Sequence, residues 1–130
     1  MNKEFPYKKI LVIDDNETDF YIAHGHINSY TRDVNLFYAM DVDSGLEMFR
    51  SFKQELRPDL ILLDLNFDRQ GKQGIDFLIE FQKMEEESVM PTGVIILSAF
   101  SVYNEVQVLR KIHPVLKFIE KPFSVEKILS

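Results

Sequence analysis

Three aspartates stand at the ends of two short aliphatic segments and could act together. Residues 9–13 read Lys-Ile-Leu-Val-Ile and are followed by Asp14 and Asp15, while residues 59–64 read Asp-Leu-Ile-Leu-Leu-Asp and end at Asp64. Segments of this length and composition are typical of strands buried on both faces of a parallel sheet. Such sheets bind ligands at the carboxyl ends of their strands, so two neighbouring strands would bring these acids into one crevice. A single strand-ending Asp is equally consistent with an ordinary turn residue, and it is the second strand that favours a site.

Three ionised carboxylates in one crevice repel one another, and a divalent cation would relieve the repulsion. Ligands that are all oxygen, with positions left for water, suit Mg²⁺ (or Mn²⁺) better than softer metals. We expect Asp15 and Asp64 to bind the metal directly and Asp14 to act through water. The backbone carbonyl of Asn66 is expected to complete the protein ligands. The remaining oxygen of Asp64 could then attack phosphorus, because the metal would neutralise charge on the transferred group.

Two further polar residues follow later strands and could contact phosphoryl oxygens. Lys121 comes just after the fifth predicted strand and would supply a positive charge, whereas Ser98 ends the fourth and would donate a hydroxyl hydrogen bond. Taken singly, the lysine is consistent with a solvated side chain and the serine with a turn residue or a helix cap. Their position at the same end of neighbouring strands favours a shared role with Asp64.

The elements that would position these residues follow from the apolar pattern. Runs of aliphatic and aromatic residues predict five strands, at 9–13, 34–39, 59–64, 94–97 and 115–119. Helical spacing predicts helices between and after them: helix 1 to about residue 29, helix 2 up to Pro58, helix 3 from Gly74, helix 4 up to residues 113–114 and a short last helix begun at Ser124. Asn16 is the predicted N-cap of helix 1 and Asp43 that of helix 2, and Asp19 favours the first turn of helix 1.

Strands that alternate with helices, each connection too long for a hairpin, predict right-handed βαβ units. The fold class is therefore α/β, with a parallel five-stranded sheet covered by helices on both faces. The economical arrangement is the flavodoxin-like doubly wound (βα)5 order 2-1-3-4-5. Its switch point lies between strands 1 and 3, which are the strands that end in Asp14, Asp15 and Asp64.

Composition narrows the classes of function. A length of 130 residues predicts one domain, with a core at about residues 8–129 and no output domain. The hydrophobic fraction of 45% and the charged fraction of 28% are those of an ordinary globular protein, which we expect to be cytoplasmic. No apolar segment approaches the roughly 20 residues that cross a bilayer, and the absence of cysteine excludes thiolate chemistry. A net charge of −6 disfavours direct binding to nucleic acid, and no membrane partner is expected.

The motifs, taken in order, resemble a response-regulator receiver domain (CheY-like) of two-component signalling. They are Asp14-Asp15, Asp64, Ser98-Ala99 and Lys121-Pro122-Phe123, each after its own hydrophobic strand. The resemblance implies that Asp64 accepts a phosphoryl group from a sensor histidine kinase or a histidine phosphotransfer protein, in a reaction that depends on Mg²⁺. It also implies a signalling domain rather than an enzyme, with self-catalysed phosphorylation and dephosphorylation only.

The same resemblance implies a conformational switch. Ser98 matches the hydroxyl that is drawn to the phosphate, and Phe118, three residues before Lys121, matches the aromatic that then turns inward. The change would alter the face made by helix 4, strand 5 and helix 5, through which the domain would contact an unknown downstream protein or pass phosphate along a relay. The peptide bond before Pro122 is expected to be cis.

Three alternative functions are compatible with parts of the pattern. A metal-dependent phosphohydrolase with an aspartyl-phosphate intermediate would need an acid two residues after Asp64, where Asn66 stands, and a substrate-capping insertion, which is not visible. A flavin-binding electron carrier would need a phosphate-binding loop after strand 1, where acids stand instead. A non-signalling, receiver-like module that only binds partners is disfavoured because all five site residues are present.

Overall fold

The computed structural model describes residues 4–65, 67, 71–85, 92–99, 106–112, 114–115 and 117–130. Within these ranges, five strands and five α-helices alternate along the chain. The strands are β1 (Lys9–Ile13), β2 (Asn35–Ala39), β3 (Leu60–Asp64), β4 (Gly93–Ser98) and β5 (Lys117–Glu120). The helices are α1 (Glu17–Tyr30), α2 (Val42–Ser51), α3 (Gly74–Glu85), α4 (Val106–Ile112) and α5 (Val125–Leu129), and a short 3₁₀ helix (Gln54–Leu56) precedes β3.

The strands form one parallel sheet in the order β2-β1-β3-β4-β5, so the predicted flavodoxin-like doubly wound fold is confirmed. The register aligns the carboxyl ends of the strands. Ile13 lies opposite Leu63, so Asp14 and Asp64 leave β1 and β3 at the same level. Asp64 in turn lies opposite Leu97, one residue before Ser98. The sheet therefore presents Asp14, Asp64 and Ser98 along the edge formed by the carboxyl ends of its strands.

Helices cover both faces of the sheet, and the strands divide their side chains between two cores. On one face, residues of β1 and β3 pack with α2 and α3: Leu11, Ile13, Ile61, Leu63, Leu46, Phe49, Phe77 and Phe81. On the other face, the alternate residues pack with α1 and α5: Ile10, Val12, Leu60, Leu62, Ala23, Ile27, Val125 and Ile128. Every residue of β3 is buried, as expected for the central strand of a sheet covered on both faces.

The polar residues predicted at two helix starts do cap these helices. Asn16 accepts hydrogen bonds from the backbone N–H groups of Thr18 and Asp19 at the start of α1. Ser124 accepts one from the N–H of Lys127 at the start of α5. Side-chain oxygens thus satisfy backbone donors that have no partner inside the helix.

The predicted cap of the second helix was wrong. The N-cap of α2 is Asp41, whose carboxylate accepts the N–H of Ser44 at 2.7 Å. Asp43 lies in the first turn and forms a 2.6 Å ion pair with Lys72. Either acid could cap this segment, and the burial of Val42 in the core sets the helix start at the earlier one.

Three strands, β2, β3 and β5, begin later than predicted, and two of them leave out an apolar residue. The first apolar residues of the predicted segments, Val34 and Val115, are buried but lie outside β2 and β5. Their burial in the core, rather than pairing in the sheet, explains their apolar character. No helix in the described ranges has the length and apolar character needed to cross a membrane.

Candidate functional site

The three predicted acids meet at the carboxyl edge of the sheet. One carboxylate oxygen from each of Asp14, Asp15 and Asp64 can be chosen so that all three lie within 4.8 Å of one another. Asp14 is 1% exposed and Asp64 is 4% exposed, whereas Asp15 is half-buried. Asn66, the fourth predicted ligand, lies outside the described residues. The described cluster is therefore a buried set of oxygens with one side open to solvent through Asp15.

Asp14 shows that the cluster suits a divalent cation. Its Oδ1 accepts the N–H of Asn16 at 2.8 Å. Its buried Oδ2 forms a 3.0 Å ion pair with the ammonium of Lys121 and has no further hydrogen-bond partner among the described residues. Burial raises the pKa of Asp14, and the N–H of Asn16 and the charge of Lys121 only partly oppose this. An all-oxygen set with an incompletely compensated carboxylate fits Mg²⁺.

Lys121 reaches from the end of β5 into this cluster. Its Nζ lies 2.6 Å from Oδ2 of Asp19, 3.0 Å from Oδ2 of Asp14 and 3.5 Å from Oδ1 of Asp64. Burial alone would lower the pKa of Lys121, but the hydrogen bond to Asp19 and the charges of Asp14 and Asp64 outweigh it and raise the pKa. The lysine is therefore a fixed positive charge beside the carboxylate of Asp64. Its peptide bond to Pro122 is cis, as expected.

Asp19 is a site residue that the sequence analysis missed. The sequence suggested only that it favours the first turn of α1, yet it makes the shortest contact to Lys121, across 102 residues of chain. One signal could have indicated it: α1 begins shortly after Asp14 and Asp15, and a helix rises only about 1.5 Å per residue. An acid in the first turn of α1 must therefore lie near the same edge of the sheet.

Tyr38 is a second contributor that sequence reasoning did not identify. Its hydroxyl donates a hydrogen bond to the backbone carbonyl of Asp14 at 2.8 Å, and its ring stacks on Phe20 with centroids 4.4 Å apart. The N–H of Asp14 is also held, by the carbonyl of Ala39 at 3.1 Å. The backbone that carries Asp14 is thus fixed on both sides by β2.

Ser98 and Phe118 lie on the two strands beyond β3. Ser98 ends β4 and is buried, and its carbonyl accepts the N–H of Lys121 at 2.7 Å. Phe118 pairs with Ile96 in the sheet and is only partly buried. The guanidinium carbon of Arg110, in α4, lies 5.6 Å from the centroid of the Phe118 ring. The phenyl ring therefore lies between the core and a surface cation.

The doubly wound sheet with an acid cluster at its switch point defines a CheY-like domain. A sequence profile described as the response regulator receiver domain matches residues 10–130, which is most of the chain. The chain belongs to the response regulator receiver domain family, a family of phosphoacceptor domains in two-component signalling. A search of curated proteins found no match.

Solved structures with this fold include NtrX from Brucella abortus, with a TM-score of 0.74 and 23% identity over 93% of this chain. This chain spans only about a quarter of that protein, since it covers 25% of it. The separate NtrX receiver domain gives a TM-score of 0.73 and 23% identity, covering 92% of this chain and 91% of that one. The chemotaxis protein CheY4 of Vibrio cholerae gives 0.74 and 19%, covering 94% and 92%. Identities this low establish the similarity of fold alone.

Proposed function

We propose that Asp64 accepts a phosphoryl group from the phosphohistidine of a sensor histidine kinase or a histidine phosphotransfer protein. The observation that carries the proposal is the geometry around its carboxylate. Oxygens of Asp14 and Asp15 lie within 4.8 Å of an Asp64 oxygen, and the ammonium of Lys121 lies 3.5 Å from Oδ1. A carboxylate placed between a cation site and an ammonium suits attack on an anionic phosphoryl group.

The proposed metal is Mg²⁺ (or Mn²⁺), which would neutralise part of the negative charge on the phosphoryl oxygens. Asp15 and Asp64 are its proposed direct ligands, together with the backbone carbonyl of Asn66, and Asp14 is proposed to act through water. The acids supply oxygen ligands only, which this metal prefers.

In the proposed reaction, a carboxylate oxygen of Asp64 forms a bond to phosphorus while the bond between phosphorus and the donor imidazole nitrogen breaks. The electron pair of that bond leaves with the imidazole. Lys121 would pair with a phosphoryl oxygen, and the Ser98 hydroxyl would donate a hydrogen bond to another. The buried position of Ser98 at the end of β4, beside β3, supports this assignment.

The proposed output is a change of the surface formed by α4, β5 and α5. Movement of Ser98 toward the phosphoryl group would open space for the ring of Phe118 to turn inward, away from Arg110. The partly exposed position of the ring beneath Arg110 supports this, because an inward turn would replace that contact with burial. The surface would then bind a downstream protein or take part in a relay.

Intact-mass measurement after incubation with acetyl phosphate and Mg²⁺ tests the proposal. The wild-type protein should gain one phosphoryl group, and Asp64→Asn, which keeps the shape of the side chain, should gain none. Asp33→Asn is the matched control, because it also removes one carboxylate but lies on the exposed loop before β2. Equal labelling of wild type and Asp64→Asn, or labelling that does not require Mg²⁺, would overturn the assignment.

A further inference from the structure

Lys121 has a competing partner that does not belong to the strand-end cluster. Its shortest contact is the 2.6 Å ion pair with Asp19, compared with 3.5 Å to Asp64. Asp19 is held in place by its helix: its N–H donates to both the side-chain and the backbone oxygen of Asn16, at 3.3 Å and 3.1 Å. Its side chain is 24% exposed and that of Lys121 is 16% exposed, so the pair is partly shielded from water.

We propose that Asp19 is a positioning residue that holds Lys121 in a resting position and competes with the phosphoryl group for it. This inference rests on the proposed function of Asp64. In the unphosphorylated protein, the ammonium is shared between Asp19 and the cluster. When a phosphoryl group is present on Asp64, the ammonium exchanges Asp19 for a phosphoryl oxygen. Asp19 thereby sets how readily the domain takes up a phosphoryl group.

The charges determine the direction of the effect. Among the described residues, three carboxylates form ion pairs with the ammonium of Lys121, those of Asp14, Asp19 and Asp64. Asp15 adds a fourth negative charge to the same group of acids. An anion that enters this site must obtain a cationic partner and overcome repulsion from the carboxylates. Asp19 opposes it on both counts, since it engages the lysine and adds a negative charge. Its effect on a cation is the reverse, because a further carboxylate attracts Mg²⁺.

Asp19 differs from the proposed metal ligands in its geometry. Within the described part of the chain, the acids whose oxygens converge closely enough to hold an ion are Asp14, Asp15 and Asp64, without Asp19. Asp19 contacts Lys121 directly, whereas it acts on Asp14 through its charge, which helps to raise the pKa of that carboxyl. A change at Asp19 should therefore act mainly through the lysine.

Binding of beryllofluoride, a phosphoryl mimic, provides the test. Its affinity for the folded protein is measured by ¹⁹F nuclear magnetic resonance at saturating Mg²⁺, alongside a separate Mg²⁺ titration. Asp19→Asn should tighten beryllofluoride binding by about three- to tenfold, as expected for loss of a partly buried charged competitor. The same variant should bind Mg²⁺ less tightly. Glu17→Gln is the matched control, because it removes an equal charge from the same helical turn but contacts Tyr21 instead of Lys121.

A double-mutant cycle with Lys121→Met separates competition for the lysine from general repulsion. Without the lysine, Asp19→Asn should tighten beryllofluoride binding by less than it does in the wild-type background, because only the loss of general repulsion remains. If wild type binds beryllofluoride and Asp19→Asn binds it equally or more weakly, the competition is overturned and Asp64 keeps its proposed role. An equal gain with and without the lysine would also overturn the competition. If wild type fails to bind beryllofluoride at any Mg²⁺ concentration, the proposed phosphoacceptor function itself is wrong.

Discussion

The hydroxyl of Tyr38 on β2 donates a 2.8 Å hydrogen bond to the backbone carbonyl of Asp14, the residue that follows β1. We expect Tyr38→Phe to lower the free energy of unfolding by about 1 kcal/mol, since it leaves a part-buried carbonyl without its donor. It should also weaken Mg²⁺ binding, because the segment that carries Asp14 and Asp15 becomes less fixed. Urea unfolding and a Mg²⁺ titration measure the two effects.

Tyr21→Phe is the control for this substitution. The Tyr21 hydroxyl also donates a hydrogen bond, to Glu17 at 3.1 Å, but Tyr21 is exposed and the bond competes with water. Its loss should leave both measurements nearly unchanged. A Tyr38→Phe protein with wild-type stability and wild-type Mg²⁺ affinity would show that Tyr38 does not fix the segment that carries Asp14 and Asp15.

Burial raises the pKa of Asp14 above the ordinary carboxyl value of 3.8, so ionised Asp14 destabilises the folded state relative to the unfolded chain. The contribution of Asp14 to the free energy of unfolding is most favourable below the pKa of this carboxyl in the unfolded chain. It declines as the pH rises toward the pKa of the same carboxyl in the folded protein. Without divalent cations at pH 7, Asp14→Asn should therefore melt higher than wild type. In a chain of this size, each kcal/mol gained in the free energy of unfolding raises the melting temperature by about 4 °C.

Melting curves from pH 3 to pH 8 in the presence of a chelator show whether Asp14→Asn melts higher than wild type and how the difference depends on pH. The advantage of Asp14→Asn should shrink toward acid pH, where wild-type Asp14 becomes protonated. Addition of Mg²⁺ should also reduce it, since the cation stabilises wild type more than the variant. The exposed control Asp33→Asn should show neither trend. A constant difference across the pH range would exclude titration of Asp14 as its origin.

The sequence contains enough information for the order of the strands and for the strand-end acids. The position of Asp64 was predictable because a short aliphatic run is typical of a buried strand, and because a second such strand also ends in acids at the ligand-binding edge. The ion pair of Asp19 with Lys121 could not be predicted, because it depends on how α1 docks beside β5. The two residues are 102 positions apart in the chain. The choice of Asp41 over Asp43 as a cap was likewise decided by burial of Val42, a tertiary effect that local preference does not include.

Gly74, at the start of α3, lies against the end of β3. A Cβ at this position would be 2.5 Å from the carbonyl oxygen of Asp64 and 2.8 Å from Cα of Leu65. Gly74→Ala must therefore displace backbone, which should cost about 1–3 kcal/mol of stability. It should also slow labelling of Asp64 by acetyl phosphate, because the shift falls on the residue that carries the carboxylate.

Gly25, in the middle of α1, provides the opposite case. Nothing lies within 4 Å of a Cβ built there, so Gly25→Ala should stabilise the protein by about 0.5–1 kcal/mol through helix propensity. Chemical denaturation compares the two variants, and intact mass over time compares their labelling. If Gly74→Ala is as stable as Gly25→Ala and is labelled at the wild-type rate, close contact at Gly74 does not position Asp64.

The Arg110 guanidinium over the ring of Phe118 should favour the partly exposed position of that ring. A cation–π contact at such a site contributes about 0.5–1 kcal/mol, which is enough to change the ratio of two ring positions several-fold. In ¹H–¹⁵N spectra, Arg110→Gln without beryllofluoride should shift the signals of α4, β5 and α5 part of the way toward those of the beryllofluoride-bound wild type.

Phe118→Ala should reduce the beryllofluoride response on the surface formed by α4, β5 and α5 while the signals near Asp64 still respond. Phe52→Ala, which removes another partly buried ring that packs on Phe37, should preserve the response and so controls for loss of an aromatic. A response on this surface that is unchanged in Phe118→Ala would assign Phe118 to the core and require another route from Asp64 to the surface.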